Sequence, residues 1–171
     1  MPLTPKHPSE SLTVLTDLVL PSETNHINNL FGGELLARMD RAASISAQRH
    51  SRNISVTASV NHVAFTKAIL LGSVVTIEAK VSRAFKSSME VYIDVWVEDR
   101  ISGVKTKANE AIYTFVAVDG TGKPVEVAQI IPETELEKER YEGALRRKQL
   151  SLVLAGKMKP GEATELKALF V

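Results

Sequence analysis

One helical period set among strand-like segments constrains this chain most. From Glu34 to His50, the residues Leu35, Leu36, Met39, Ala42, Ala43 and Ser46 recur at the spacing of one helix face. That stripe is rich in small residues, which let a helix approach another backbone closely. Its apolar character predicts a helix surrounded by other elements. One β-rich segment precedes it, Ser11 to Leu20, and Pro21 ends that segment. Four more follow. Ile54 to Phe65 is rich in β-branched residues, and Ser73 to Val81 alternates Val75, Ile77 and Ala79 with Thr76, Glu78 and Lys80. Ser88 to Asp99 places Val91, Ile93, Val95 and Val97 on one face, and Val104 to Val118 runs to the turn Asp119-Gly120-Thr121-Gly122.

This order predicts an α+β fold, with a five-stranded antiparallel sheet wrapped around one central helix. Pro132 and the acidic residues after it start a charged C-terminal helix that runs to Leu154. Three stretches result: a flexible N-terminal arm over 1–10, a folded domain over 11–131, and a C-terminal helix and tail over 132–171. Within the last, Arg146, Arg147 and Lys148 precede Leu150, Leu152, Val153 and Leu154. They read as a solvated helix with one apolar face.

Composition narrows the function. Lys and Arg number 21 against 20 Asp and Glu, so no overall field draws nucleic acid or an anionic membrane. The absence of cysteine excludes disulfides, thiolate metal sites and a cysteine nucleophile. The 4 histidines show no metal-ligand spacing, and His26 and His50 read as surface or loop residues. No segment approaches the ~20 apolar residues of a membrane span, and the first ten residues lack the apolar stretch of a signal peptide. A cytoplasmic protein without membrane insertion is the expectation.

The chemistry concentrates at Asn29-Leu30-Phe31-Gly32-Gly33 and at Asp40, seven residues beyond Gly33. A helix start leaves backbone N–H groups without intrahelical partners, and paired glycines keep them open to a ligand. A carbonyl oxygen that gains negative charge is stabilised there. Asp40 can act as general base toward water or attack a carbonyl directly. Asn29 can orient water or donate a hydrogen bond. The plainer alternatives are a simple glycine turn, an asparagine cap, and an aspartate that pairs with Arg38 or Arg41 or faces solvent.

These residues closely resemble the hotdog-fold acyl-CoA thioesterases, the acyl-CoA hydrolase group, over roughly Ser11 to Pro132. The matching pieces are Asn28-Asn29-Leu30-Phe31-Gly32-Gly33, then Leu36, Met39-Asp40 and Ala43. Val56 to Asn61, Phe65, Gly72, Lys86 to Val91 and Ala111 to Asp119 follow in the family's order. The resemblance implies hydrolysis of acyl-CoA to a free acid and coenzyme A. It also implies a homo-oligomer, with a dimer as the minimal active unit and commonly a hexamer of three dimers, tetramers being the alternative among hotdog proteins. Asn29 and Asp40 would come from different subunits, beneath a continuous ten-stranded sheet. The amide of Gly33, with Gly32, would bind the thioester oxygen. Lys86, Ser87 and Ser88, with Arg83, would touch coenzyme A. No metal or further cofactor is implied, since coenzyme A is part of the substrate. A non-catalytic acyl-CoA-binding or sensing module on the same fold is the alternative.

Overall fold

The computed structural model describes residues 3–170. In chain order these form β1 (Thr13–Leu18), α1 (Gly32–Ser51), β2 (Ile54–Ala64), β3 (Val74–Ala84), β4 (Ser88–Glu98), β5 (Lys105–Val118), α2 (Glu135–Leu154) and the short α3 (Thr164–Lys167). The sheet runs β1-β3-β4-β5-β2, and every neighbouring pair is antiparallel. β1 and β2 therefore lie at opposite edges, and α1 carries the chain from one to the other. Five strands span roughly 19 Å at ~4.8 Å per neighbour. A 20-residue helix is roughly 30 Å long, enough to cross them. α1 touches all five strands. This is the hotdog arrangement.

Alternation fixes which face meets α1. Met89, Val91, Ile93 and Val95 of β4 are fully buried beside Val75, Ile77, Ala79 and Val81 of β3. They pack with Leu35, Met39, Ala42, Ala43 and Ala47 of α1, the stripe expected from the sequence. The helix is not surrounded, however. Gly33, Glu34, Arg41, Ile45 and Gln48 are exposed, because the sheet covers one side of α1 only. This open side adjoins the free edge of β2, where Ile54, Val56 and Val60 are also exposed.

The opposite face of the sheet carries α2, and here the structure corrects the sequence expectation. α2 has no continuous apolar face. Its buried residues are Glu137, Gly143, Ala144 and Gln149. It docks through Arg140 to Asp94 at 2.8 and 2.9 Å and through Arg147 to Glu90 at 2.9 and 2.8 Å. Its start is also later than Pro132. The Thr134 hydroxyl accepts from the Glu137 amide, and Glu137 returns a carboxylate to the Thr134 amide, which closes a capping box.

Two further expectations change. Lys6 pairs with Gln129 and Ile131 through backbone bonds of 2.9 Å, and its ammonium donates to the His50 carbonyl at 2.6 Å. The segment from Lys6 on is therefore anchored rather than a loose arm. His50 is buried, not a surface residue, and its Nε2 lies 2.7 Å from the Ala128 carbonyl. Burial holds its imidazole below the usual histidine pKa, so the ring is neutral and acts as a clip.

Candidate active site

The turn before α1 is held in place by a buried arginine. Arg38 donates to the Leu18 carbonyl at 3.0 Å and to Glu23 at 2.7 Å. The Leu20 amide and Arg38 together hold the Glu23 carboxyl below the usual carboxylate range. Glu23 in turn accepts the Phe31 amide on its backbone oxygen at 2.9 Å, which fixes the residue just before the helix. Arg38 is thereby committed to Glu23 and forms no pair with Asp40.

Between these anchors the asparagine-rich loop folds around Asn25. The Asn25 Oδ1 accepts from the amides of Ile27 and Asn29, both at 3.1 Å. Its backbone N–H donates to Asn29 at 2.8 Å, and Asn28 closes the turn in the left-handed region with φ of 59°. With Oδ1 occupied, the Asn25 amide plane is set, and its Nδ2 has no partner among the described residues. Asn29 pairs with Leu70 as an isolated bridge.

Helix α1 begins with Gly32. Its first internal acceptor is Phe31, bonded by the Leu35 amide at 3.1 Å. The amides of Gly32, Gly33 and Glu34 therefore lack intrahelical partners. A side chain built at Gly33 would meet nothing within 4 Å, so there is free space beside this residue. A depression of about 330 Å³ adjoins this start, lined by Asn25, Asn29, Gly32, Phe65, Lys67 and Asn109, among others. Asn109 is buried, and its Nδ2 has no partner within the described chain.

Asp40 lies elsewhere. Seven residues of helix place it roughly 10 Å along the axis from Gly33, on nearly the same side. Its Oδ1 accepts from the Thr57 hydroxyl of β2 at 2.7 Å. A second depression, about 470 Å³, opens beside it and is lined by Leu36, Val60, Val63, Phe65 and Tyr113. Apart from Asp40 and Thr57 its lining presents almost only carbon. The Tyr113 hydroxyl is spent on the Leu36 carbonyl at 3.2 Å. Burial, and then the charge of Asp40, push the Tyr113 phenol up to about 12, so it stays protonated.

A carbonyl cannot sit ~3 Å from both the Gly33 amide and Asp40 of one chain when some 10 Å separates them. The structure thus brings Asn29 together with Gly32 and Asn25, and Asp40 with Thr57 and Tyr113, in two depressions that share Phe65. Sequence reading singled out neither Asn25 nor Thr57 for chemistry. Asn25 lies three residues before the Asn28 to Gly33 motif, in the loop that leads into α1. Thr57 stood in the quoted strand motif, and only its contact with Asp40 distinguishes it there.

The coenzyme A candidates sit at the β3–β4 hairpin. Lys86 is exposed at its tip. Arg83 is committed to α2, donating to the Tyr141 carbonyl at 3.0 Å with its guanidinium 4.2 Å from the Tyr141 ring. Ser88 lines a third depression, about 370 Å³, on the α2 face with Phe85, Lys148 and Lys157. Lys86, Ser87 and Arg83 do not line it. The Lys148 ammonium stands 3.7 Å from the Phe85 ring, and burial, then Arg83, lower its pKa.

A helix laid across a five-stranded antiparallel sheet, with a carboxylate two turns from its start, makes this a hotdog protein. The family model described as "Thioesterase superfamily" matches residues 27–104. An uncharacterized acyl-CoA thioester hydrolase of Bacillus subtilis is 44% identical over 138 residues, covering 81% of this chain and 80% of that one. The structure of an apo-hexameric acyl-CoA thioesterase superposes with a TM-score of 0.86 at 38% identity, covering 90% of this chain and 98% of the other. The acyl-CoA hydrolase of Staphylococcus aureus, solved with butyryl-coenzyme A and coenzyme A, gives 0.82 at 36%, covering 95% and 98%. The chain belongs to the hotdog-fold acyl-CoA thioesterase family. The staphylococcal enzyme has also been solved with an asparagine, an aspartate or a threonine replaced by alanine. Those three follow one another along its chain at the same separations as Asn25, Asp40 and Thr57 here.

Proposed function

We propose that this protein hydrolyses acyl-CoA at sites shared between two subunits, with Asp40 as general base or nucleophile and the amides of Gly32 and Gly33 receiving the thioester oxygen. The observation that carries this reading is the pair of half-sites. The depression at the helix start offers donors and no carboxylate among its described lining, and the Asp40 groove offers a carboxylate without oxyanion donors. A two-fold axis through the open side of α1 and the free β2 edge would bring each half to its complement. The exposed Ile45, Ile54, Val56 and Val60 would then be covered, and the two sheets would continue into ten strands. The hexameric relative is consistent with three such dimers.

Within the site, Asn25 is the better choice than Asn29 for the polar partner. Its separation from Asp40, and that of Asp40 from Thr57, match the spacing of the residues replaced in the staphylococcal enzyme. The fixed amide of Asn25 leaves Nδ2 to donate to water or to the developing oxyanion. Thr57 orients the Asp40 carboxylate. Asn29, close by in the same loop, shapes the turn and lines the depression. Lys86, Ser87 and Ser88 would offer a cation and hydroxyls to the coenzyme A portion, from a neighbouring subunit of the assembly. Arg83 is left out of that set because Tyr141 holds it.

A thiol-release assay over acyl-CoAs tests this. Asp40→Asn is expected to lose about 10²–10⁴-fold in kcat, with Asn25→Ala also impaired. Mixing the two inactive proteins and reassembling them is the sharper measurement. A shared site predicts recovery of about a quarter of the parent rate, since half of random dimers hold one intact site. No recovery after confirmed exchange would place the chemistry within one chain. A parent that releases no thiol would end the enzyme reading.

A further inference from the structure

Phe65 is a large aromatic residue left 56% exposed beside the catalytic groups. It follows the last residue of β2, and the chain around it is tied down. The Thr66 amide donates to Asn109 at 2.9 Å, and the Leu30 amide donates to Ile69 at 2.7 Å. Its ring edge reaches the helix start, 3.4 Å from where a Cβ on Gly32 would lie. Among the described residues it alone lines both the Gly32 depression and the Asp40 groove.

The groove suits an aliphatic chain. Leu36, Val60 and Val63 form its sides, and Tyr113, with its hydroxyl already bonded, offers only its ring. An acyl group is the apolar part of the substrate, and the carbon walls lie on the Asp40 side. Under two-fold symmetry each complete site receives one Gly32 depression and one Asp40 groove, so two copies of this ring flank every thioester.

We propose that Phe65 is the residue that sets acyl-chain selectivity, by walling the first carbons beyond the thioester carbonyl. This rests on the shared-site reading above. The ring holds short chains against the reacting groups and limits how bulky chains enter. Its removal from both sides of a site takes contacts from short acyl groups, while longer ones fill the space released.

The experiment measures kcat/KM across acyl-CoAs from acetyl to palmitoyl for the parent, Phe65→Ala and Phe65→Leu, with the assembly state of each checked by light scattering. The long-to-short selectivity ratio is expected to rise about tenfold or more for Phe65→Ala, and by less for Phe65→Leu. Loss by one common factor at every chain length would overturn the proposal. If Phe65→Ala fails to assemble, Phe65→Leu decides alone, because it keeps apolar bulk at the interface but lacks the ring. An unmoved profile in an active parent defeats this inference only. A parent inactive on every acyl-CoA defeats the function itself.

Discussion

The two faces of one sheet hold two helices of equal length by opposite means. α1 and α2 each have 20 residues. α1 buries Leu35, Met39, Ala42, Ala43 and Ala47 against strand residues that are themselves apolar. Each large side chain so buried contributes about 1.5–3 kcal/mol. α2 buries almost no large apolar side chain and instead grips Asp94 and Glu90 with bidentate arginines. Gly143 leaves room for the second grip. A Cβ there would fall 2.5 Å from the Arg147 guanidinium, which lies across the helix and also donates to the Arg140 carbonyl. Apolar burial is non-directional and indifferent to charge state. A buried ion pair depends on both partners being present and ionised. The face toward the proposed chemistry is thus held chiefly by apolar packing, with His50 near the end of α1 as its pH-sensitive contact.

The largest separation of the two faces should come from the core. Met39→Ala is expected to cost about 2–5 kcal/mol in chemical denaturation, because Met39 is fully enclosed and the helix cannot collapse onto the space. A cost near zero would mean that α1 is not the main apolar attachment. Next in size is Arg147→Met, which leaves Glu90 buried and unpaired. Because Arg147 is itself 28% exposed, about 1–3 kcal/mol is expected. The double variant with Glu90→Leu should recover most of it. Hydrogen exchange should show the loss in α2 and not in α1, and equal loss in both helices would erase the comparison.

The smallest effects come from pH. Burial of Asp94 opposes its charge, but hydrogen bonds from Arg140 and Lys107 outweigh this and hold its carboxyl below the ordinary 3.8. The stability it lends is complete above that value and is lost as pH falls through the lowered pKa, so α2 should loosen in strong acid while α1 stays packed. His50 acts earlier. Its pKa is depressed from 6.5, chiefly by burial, so its contribution is complete above 6.5 and declines as pH falls below it. Amide exchange in the strip around Ala128 should rise first as a sample is acidified. If α2 opened before that strip, the order of the two attachments would be reversed.

Much of this molecule was legible because local periodicity carries it. The alternation of Val91, Ile93 and Val95 named the inner face of β4, and the Leu35 to Ser46 stripe named the buried side of α1. Gly32-Gly33 marked the helix start, and Asp40 stood out as a carboxylate beside Met39, Ala42 and Ala43 of the apolar stripe. α2 misled because its leucines near the C-terminal end suggested an apolar face, while its partners, Glu90 and Asp94, lie far earlier in the chain on a strand face that looked solvent-facing. His50 misled in the same way, since only the return of the segment at Ala128 encloses it.

What the sequence determined by itself was the set of main elements, the faces that α1, β3 and β4 bury, and two candidate chemical centres along α1. Those follow from repeats of two and 3.6 residues and from the backbone freedom of glycine. The tertiary structure decided which distant residues meet. Strand order put β2 at an edge beside β5, which brings Thr57 to Asp40 and Phe65 to Gly32. A local period specifies a direction for a side chain but not the neighbour it finds there. That neighbour is chosen when the whole sheet pairs and the cost of unpartnered polar groups is settled across all of it.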